Sequence, residues 1–438
     1  MNADTGSVLA GTSPAPPLGP HGERLLHGWY DTGRPADLAE HLGRYGPAPL
    51  AAARSRGAAM PLVRAVEEAG LTGRGGGGFP TGRKLRSVAG ARGPRVVVAN
   101  GMESEPASRK DAVLLSLAPH LVLDGAVLAA VAVGADTVHL CVPRDGTGSA
   151  DRLTARVTER CRAGLDPVDV RVHALPHHFV SSEETSLVSW LNGGDARPLA
   201  TPPRPFESGV RRRPTLIGNV ETLAHLALIA RHGPGWFRAA GSPRAPGTRL
   251  VTVAGAVHEP GVYEIPADLS VTAALHRAGG PRERLGAVLS GGFFGTWLPQ
   301  PPDAAEPERG AGVLVALPAS ACGLAETAAV LGYLAAQSAR QCGPCRLGLP
   351  AVAEDFAALA RGTGDRALPE RLHRRLGLLP GRGACGHPDG AARLAASALR
   401  VFAADAERHA RTGPCGAARL PLVLPVPPAR PPAKEEWR

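Results

Sequence analysis

Aromatic residues make up only 4% of this 438-residue chain, lysines are few, and no long uninterrupted apolar run is present. The longest apolar stretch, Leu121 to Val133, contains Asp124 and Gly125. It is shorter than the roughly 20 residues a spanning helix needs, so it reads as a buried helix. The N-terminal residues include Asp4 and lack an apolar core behind a basic start, so they do not resemble a secretory signal and the cytoplasm is the expected location. Runs of five or six basic residues are also missing. The net charge of +10 therefore offers no nucleic-acid footprint, and Arg211-Arg212-Arg213, the densest patch, reads as a solvated loop. The 7 cysteines are an odd number in a large chain without an export signal. They argue against a disulfide framework and for reduced thiols that ligate metal. Richness in Ala, Arg, Gly and Pro reads as a coding bias of a GC-rich genome rather than as a functional demand.

What is present is concentrated first in the loop Gly73-Arg74-Gly75-Gly76-Gly77-Gly78-Phe79-Pro80-Thr81-Gly82-Arg83-Lys84. Residues without Cβ let backbone N–H groups approach phosphate oxygens, Arg74 and Lys84 supply positive charge, and Phe79 offers a face for a planar ring. Two familiar phosphate loops do not fit. The spelling G-x-G-x-x-G follows Leu62, Val63 and Val66, whose spacing is helical, whereas a dinucleotide fingerprint follows a strand. A P-loop requires Lys where Arg83 stands and a following Ser or Thr, and neither is there. A flexible linker of this kind is usually Ser-rich and lacks such an aromatic. The loop reads as a cradle for a phosphorylated aromatic cofactor.

Length suggests two to four domains. After an N-terminal extension over 1–50, residues 51–244 read as an α/β domain. Strand-like Val96 to Val98, Thr137 to Val142 and Val168 to Ala174 alternate with helices after Pro119 and near Asp151 to Arg162, which predicts a parallel sheet covered on both faces. Ser181-Ser182-Glu183-Glu184 precedes a helix from Thr185 to Leu191, with Ser as its cap and the acids at its N-terminus. Pro198 to Pro214 reads as loop leading into a second capped segment at Asn219. Residues 245–317 form a small α+β module with a hairpin from Leu250 to Ala254 and Val262 to Ile265 and a helix near Val271 to Ala278. Residues 318–412 carry four amphipathic helical patterns, a bundle. The Pro-rich tail, 413–438, reads as disordered.

Cys342-Gly343-Pro344-Cys345 ends the first bundle helix, and Cys385 lies in the Gly-rich turn before the last. Two thiolates two residues apart plus a third from a later turn suit an iron–sulfur cluster or zinc. A redox dithiol would more usually sit beside a βαβ strand.

These motifs occur in a definite order: the Gly-rich loop, Asn100-Gly101-Met102-Glu103-Ser104-Glu105-Pro106, Glu183-Glu184-Thr185, Gly218-Asn219-Val220-Glu221-Thr222-Leu223, then the cysteines. From about Gly70 to His409 the chain resembles the flavin-bearing, NADH-oxidising subunit of respiratory complex I. The resemblance implies an FMN-binding α/β domain with a parallel sheet, a β-grasp module of the soluble-ligand-binding type, and a four-helix bundle holding a [4Fe-4S] cluster. It implies that Gly73, Arg74, Gly75 and Lys84 hold the FMN phosphate and ring, with Asn100, Glu103, Ser104, Glu183, Gly218 and Asn219 around the ribityl chain and isoalloxazine. Phe79, Glu105 and Glu184 correspond to residues near the nicotinamide nucleotide, the two acids being the candidate catalytic groups. NADH would reduce the flavin, which would pass electrons to the cluster. Partners would be other redox subunits or a ferredoxin-like carrier, with a membrane reached only through a partner and no nucleic acid.

The chain departs from that pattern at several points. Ala339 stands at the first cluster cysteine, leaving Cys342, Cys345 and Cys385. Cys322 and His387 are candidates for a fourth ligand, and a [3Fe-4S] cluster or an open iron is the other outcome. Met102 replaces an acid, Ser182 a glycine, and Ser87 and Arg204 the aromatics that sandwich adenine. Losing two stacking contacts would weaken NADH binding by roughly tenfold or more, so the electron donor stays open between NADH and another carrier. The expected activity is that of an NADH dehydrogenase-like oxidoreductase. A non-catalytic scaffold with zinc or no cluster is the alternative.

Overall fold

The computed structural model describes residues 24–26, 28–29, 32–54, 60–144, 147–300 and 310–438. At its start, α1 (Leu38–Tyr45) is opened by a capping box in which Asp37 and Glu40 satisfy each other's backbone N–H groups. The helices α2 (Leu50–Ala53), α3 (Pro61–Ala69) and α4 (Thr81–Ala89) follow. The described part of the expected 1–50 extension joins the main core. Leu25, Leu26 and Trp29 are buried there, and the Glu264 carboxylate accepts the N–H groups of Leu25 and Leu26 at 2.7 and 3.1 Å.

The first sheet consists of β1 (Arg95–Asn100), β2 (Ala135–Pro143), β3 (Asp169–Leu175) and β4 (Thr215–Asn219), all parallel and ordered β3-β2-β1-β4. Helices α5 (Lys110–Leu117) and α6 (Pro119–Val133) connect β1 to β2, α7 (Ser149–Arg162) connects β2 to β3, and α8 (Glu184–Leu191) lies between β3 and β4. α9 (Val220–Arg238) leaves the end of β4. Strand order thus reverses between β1 and β4, and in such sheets ligands bind outside the carboxyl ends of the strands at the reversal. The sequence gives no sign of β4, because its five residues follow a Pro- and Arg-rich loop and run straight into the Asn219 cap.

The apolar stretch around Leu121 is the central helix α6, buried on nearly every side. A Cβ on Gly125 would lie 1.9 Å from the Leu223 carbonyl oxygen, so α6 and α9 cross where only glycine fits. Asp124, the polar break, faces His41 Nε2 at 2.8 Å, Arg160 Nη2 at 2.8 Å and the Arg231 guanidinium. Burial opposes its ionisation, but the His41 hydrogen bond and both guanidinium charges outweigh it and hold the carboxyl below its usual range. No single helix among the described residues is long and apolar enough to cross a membrane. α5 and α6 pass that test only as a pair bent by 96°, and both pack into the core.

A short hairpin of β5 (Gly241–Ser242) and β6 (Ala245–Pro246) leads to the second unit. Its strands are β7 (Thr248–Gly255), β8 (Gly261–Pro266), β9 (Leu285–Ser290), β10 (Thr296–Pro299) and β11 (Val313–Pro318), with α10 (Val271–Arg277) packed on the sheet. The order is β10-β9-β11-β7-β8, and β11 runs parallel to β7 while the other pairs are antiparallel.

The third unit holds five helices rather than four: α11 (Gly323–Ala336), α12 (Leu349–Arg361), α13 (Leu368–Gly377), α14 (His387–Val401) and α15 (Ala403–Thr412). The last expected helix breaks at Phe402, which leaves helical geometry as its ring packs edge-on to Trp297 at 5.2 Å between centroids. The tail is ordered, contrary to its Pro-rich composition. Glu326 accepts the N–H groups of Val423 and Leu424 at 2.7 and 3.0 Å, Gln337 donates to the Arg430 carbonyl at 3.1 Å, and Trp437 is buried beside His178. Short-range bonds within the segment, such as Ala433 N–H to the Glu436 carboxylate at 2.6 Å, join these partners from the bundle and the α/β domain in holding it.

His225 on α9 is fully buried, with neither ring nitrogen hydrogen-bonded among the described residues. Burial, reinforced by the Arg74 charge, lowers it to about 3. Unfolded histidine titrates near about 6.5, so between those values only the unfolded chain takes the proton and stability falls as pH falls. The His225 contribution to that slope is about 1.4 kcal/mol per pH unit at most. His225→Leu is expected to flatten the decline of the thermal midpoint between pH 6.5 and pH 5; parallel curves for the two proteins, measured by scanning fluorimetry, would contradict this assignment.

Candidate functional site

The reversal point of the first sheet is framed by two asparagines. Asn100 ends β1, Asn219 ends β4, and they are register partners. Asn219 caps α9 by accepting the Glu221 N–H at 3.0 Å, and its Nδ2 donates to Asp111 at 2.7 Å. Asn100 donates to the Ser182 carbonyl at 2.9 Å. The glycine loop folds against the same corner. A Cβ on Gly75 would come within 3.4 Å of Asn219 Cβ, and Gly76 sits at φ +100°, which a side chain would resist. The backbone of the loop can therefore approach a ligand closely beside the N-terminus of α9, where peptide dipoles favour an anion.

The loop's cations divide their work. Lys84, on α4, donates to the Ile217 carbonyl at 3.0 Å and pairs with the Glu184 carboxylate, with 17% of its side chain exposed. Arg74 turns inward. Its guanidinium donates to the Thr248 carbonyl at 3.1 Å and its N–H to Thr222 Oγ1 at 2.9 Å, so its side chain ties the loop to β7. Buried carbonyls at the strand edge require donors, and Arg74 meets that need. Phe79 is 51% exposed, leaving its ring face free for stacking.

Glu103 adopts φ 29°, and its carboxylate accepts Ser108 Oγ and the N–H groups of Asp111 and Ala112 at 2.6, 2.9 and 2.8 Å. It thus closes the start of α5. Ser104 Oγ donates to the Phe179 carbonyl at 2.6 Å and meets Ser182 Oγ. Glu105 accepts Phe293 N–H at 2.8 Å and Ala107 N–H at 3.2 Å, and burial raises its carboxyl to about 7. Its oxygens face the turn between β9 and β10. Glu183, not Ser181 or Ser182, caps α8, accepting Thr185 and Ser186 N–H at 2.8 and 3.2 Å. The serine hydroxyls are engaged elsewhere, Ser182 Oγ with Ser104 Oγ and Ser181 Oγ by donating to the Ala196 carbonyl at 3.4 Å, which leaves the acid for the helix. Gly218 lies in β4 against Leu223.

A network under Asn219 was not legible in the sequence. Lys110 Nζ donates to Asp111 at 2.7 Å and to Glu221 at 2.8 Å, and Glu221 also accepts Leu250 N–H at 2.9 Å. Burial alone would lower the Lys110 ammonium, but the two carboxylates outweigh it and hold it above its ordinary value. The network locks Asn219 and joins the α/β domain to β7.

At the other side of the site, Cys342, Cys345 and Cys385 lie within electrostatic reach of one another. Burial raises the Cys345 thiol, and neighbouring Cys342 and Cys385 raise it further. Cys385 precedes α14, its sulfur accepting the His387 N–H, and burial with Glu183 nearby pushes its thiol up to about 11. Cys322 is not part of this group. It caps the opposite end of α11, whose 14 residues span about 21 Å. His387 is 2% exposed; its Nε2 donates to the Leu334 carbonyl at 2.8 Å, so Nδ1 carries the lone pair, and Nδ1 is buried without a partner among the described residues. A buried imidazole held at one nitrogen and open at the other is the arrangement metal-binding histidines use. One cleft of about 280 Å³ brings the halves together, with Glu183, Glu184 and Arg204 on one wall and Cys385 and Asp389 on the other.

The same three units recur in known proteins. The Nuo51 FMN-binding domain matches residues 66–228, the SLBB domain residues 250–291, and the NADH-ubiquinone oxidoreductase-F iron-sulfur binding region residues 325–409. The second NADH-quinone oxidoreductase F-type protein of Rhizobium meliloti is 30% identical over 81% of this chain and 90% of its own length. The chain belongs to the family of NADH-quinone oxidoreductase F-type subunits. The F-type relative from Streptomyces coelicolor is 31% identical over 80% of this chain and 82% of its own, and that of Escherichia coli 30% over 78% and 82%. A crystal structure of NAD+-reducing [NiFe]-hydrogenase in the air-oxidized state superposes with a TM-score of 0.73 at 31% identity, covering 78% of this chain and 61% of the hydrogenase chain. As a member of the F-type family, this chain is a flavin electron-transfer subunit with an FMN domain and an iron–sulfur region. Its residues fit both groups. The glycine loop meets a helix N-terminus beside Lys84, and the three thiols lie within electrostatic reach of one another.

Proposed function

We propose that this chain oxidises a reduced nicotinamide nucleotide in the cleft between Glu184 and the Cys385 turn and delivers the electrons to partner redox subunits. The observation that carries this reading is the shared cleft, in which the flavin-side acids and an iron–sulfur cysteine are opposing walls. FMN, when bound, supplies the conversion between two-electron and one-electron transfer. The loop backbone and Lys84 would hold its phosphate, Asn100 and Asn219 its polar edge, and Phe79 would cover the nicotinamide. Arg204 lines the cleft where adenine would be expected, and a guanidinium can stack on an adenine face in place of an aromatic ring. Glu184 orients Lys84, while Glu105, with a carboxyl near neutrality, can hold or release a proton at its Oε atoms.

Cys342, Cys345 and Cys385 would hold the cluster, with His387 Nδ1 as the fourth donor. Cys322 is too distant. Anaerobic reduction by NADH followed at the flavin and iron–sulfur absorption bands tests the function; reconstituted protein that bleaches with dithionite but with no nicotinamide nucleotide would refute the donor. His387→Ala is expected to yield a three-iron centre, paramagnetic when oxidised, and His387→Ala combined with Ala339→Cys to restore the four-iron signal. Identical electron paramagnetic resonance spectra for wild type and His387→Ala would remove His387 as a ligand.

A further inference from the structure

Cys322, released from the iron–sulfur group, has other company. Its Sγ, His409 Nε2 and Cys415 Sγ all lie within 4.8 Å of one another. The first two residues are buried, at 4% and 0% exposure, and Cys415 is partly exposed. These ligand atoms come from separate elements: the N-terminus of α11, the last turn of α15, and the start of the C-terminal segment.

Each group is prepared for a cation. His409 Nδ1 donates to the Ala360 carbonyl at 2.9 Å, one of the carbonyls that the end of α12 leaves without a helical partner. That contact fixes the tautomer and directs the Nε2 lone pair toward the two sulfurs, the carbonyl–imidazole–metal pattern. Cys322 occupies the N-cap position of α11, where the helix dipole favours negative charge. The Cys415 N–H donates to His409 Nε2 at 3.1 Å, a bond that an ion would replace. Cys322 Sγ and His409 Nε2 are 4.0 Å apart, close to the about 3.6 Å that two such ligands span on one tetrahedral zinc.

We infer that Cys322, His409 and Cys415 form a second metal site, for a thiophilic ion of the zinc type, that clips the C-terminal segment to the bundle. Two thiolates and a neutral imidazole balance a divalent ion, so the assembled site carries no net charge into the interior. The fourth position opens beside partly exposed Cys415 and would take water. Beyond the clip, Glu326 holds Val423 and Leu424, and Trp437 seats against His178 next to the flavin-side turn. The site is separated from the iron–sulfur cysteines by the length of α11.

The test uses the full-length protein, purified without oxygen and dialysed against zinc and then against a weak chelator. Mass spectrometric metal analysis is expected to find on the order of one tightly held zinc per chain, in line with a structural site. Cys415→Ser should lower zinc at least tenfold while leaving iron and flavin content unchanged, and Cys342→Ser with Cys345→Ser should do the reverse. X-ray absorption at the zinc edge of the unmodified protein should give two sulfur and two lighter neighbours, a readout independent of how any variant folds. Zinc that disappears with Cys342 and Cys345, an absence of retained zinc, or a Cys322–Cys415 disulfide in the purified protein would each overturn the inference.

Discussion

Replacing Lys84 by Met is expected to leave a folded chain that binds FMN roughly 10- to 100-fold more weakly. Methionine keeps most of the aliphatic stem on α4 and removes only the charged end, which now reaches Ile217 and Glu184 beside the α9 N-terminus. A charge-assisted hydrogen bond to a phosphate is worth about 1.5–3 kcal/mol, which corresponds to that range in the dissociation constant. The Glu184 carboxylate loses its partner but is 44% exposed, so water takes over and the fold loses little. Quenching of flavin fluorescence on titration measures the affinity directly. An affinity within twofold of wild type would mean that the loop backbone alone holds the phosphate.

Trp437→Ala should destabilise the protein by about 3–5 kcal/mol, the usual cost of emptying a buried aromatic site. The ring is 2% exposed, its centroid is 4.6 Å from the His178 ring, and the Arg197 guanidinium lies over it at 4.6 Å. The backbone oxygen of Trp437 accepts Ala196 N–H at 2.8 Å. His178 begins the turn that leads to Glu183, so loosening the segment reaches the flavin side of the cleft. Expected results are a lower thermal midpoint, faster cleavage of the C-terminal segment by protease, and weaker flavin retention. An unchanged midpoint together with unchanged protease resistance would show that the segment is dispensable.

Local chemistry made much of this legible in advance. Asn219 could be recognised as a cap because its side chain acts two residues away, and the alternating strands β1 to β3 declared themselves by β-branched runs. The paired cysteines stood out by spacing alone. Sequence and structure part where a choice between neighbours depends on a distant partner. Ser182 and Glu183 are both good caps, and only the pull of Ser104 on Ser182 leaves the role to Glu183. Arg74 has the chemistry of a phosphate ligand, and only the fold shows that it also donates to the Thr248 carbonyl of β7. The Pro-rich composition of the tail gives no hint of Glu326, Gln337 and Ala196, which hold it and are not near it in sequence.

The sequence by itself determined that a cofactor loop, a parallel α/β domain, a small mixed module and a cysteine-bearing bundle follow one another, because each rests on periodicity, capping or spacing within a few residues. Tertiary structure alone decided which cysteines belong together. Cys322 is closer in sequence to Cys342 than to Cys415, yet a straight helix carries it away from the former while chain reversal brings it to the latter. It decided as well that Glu184 and Cys385 border one cleft. Such long-range meetings depend on how whole elements pack, and no short window of residues contains that information.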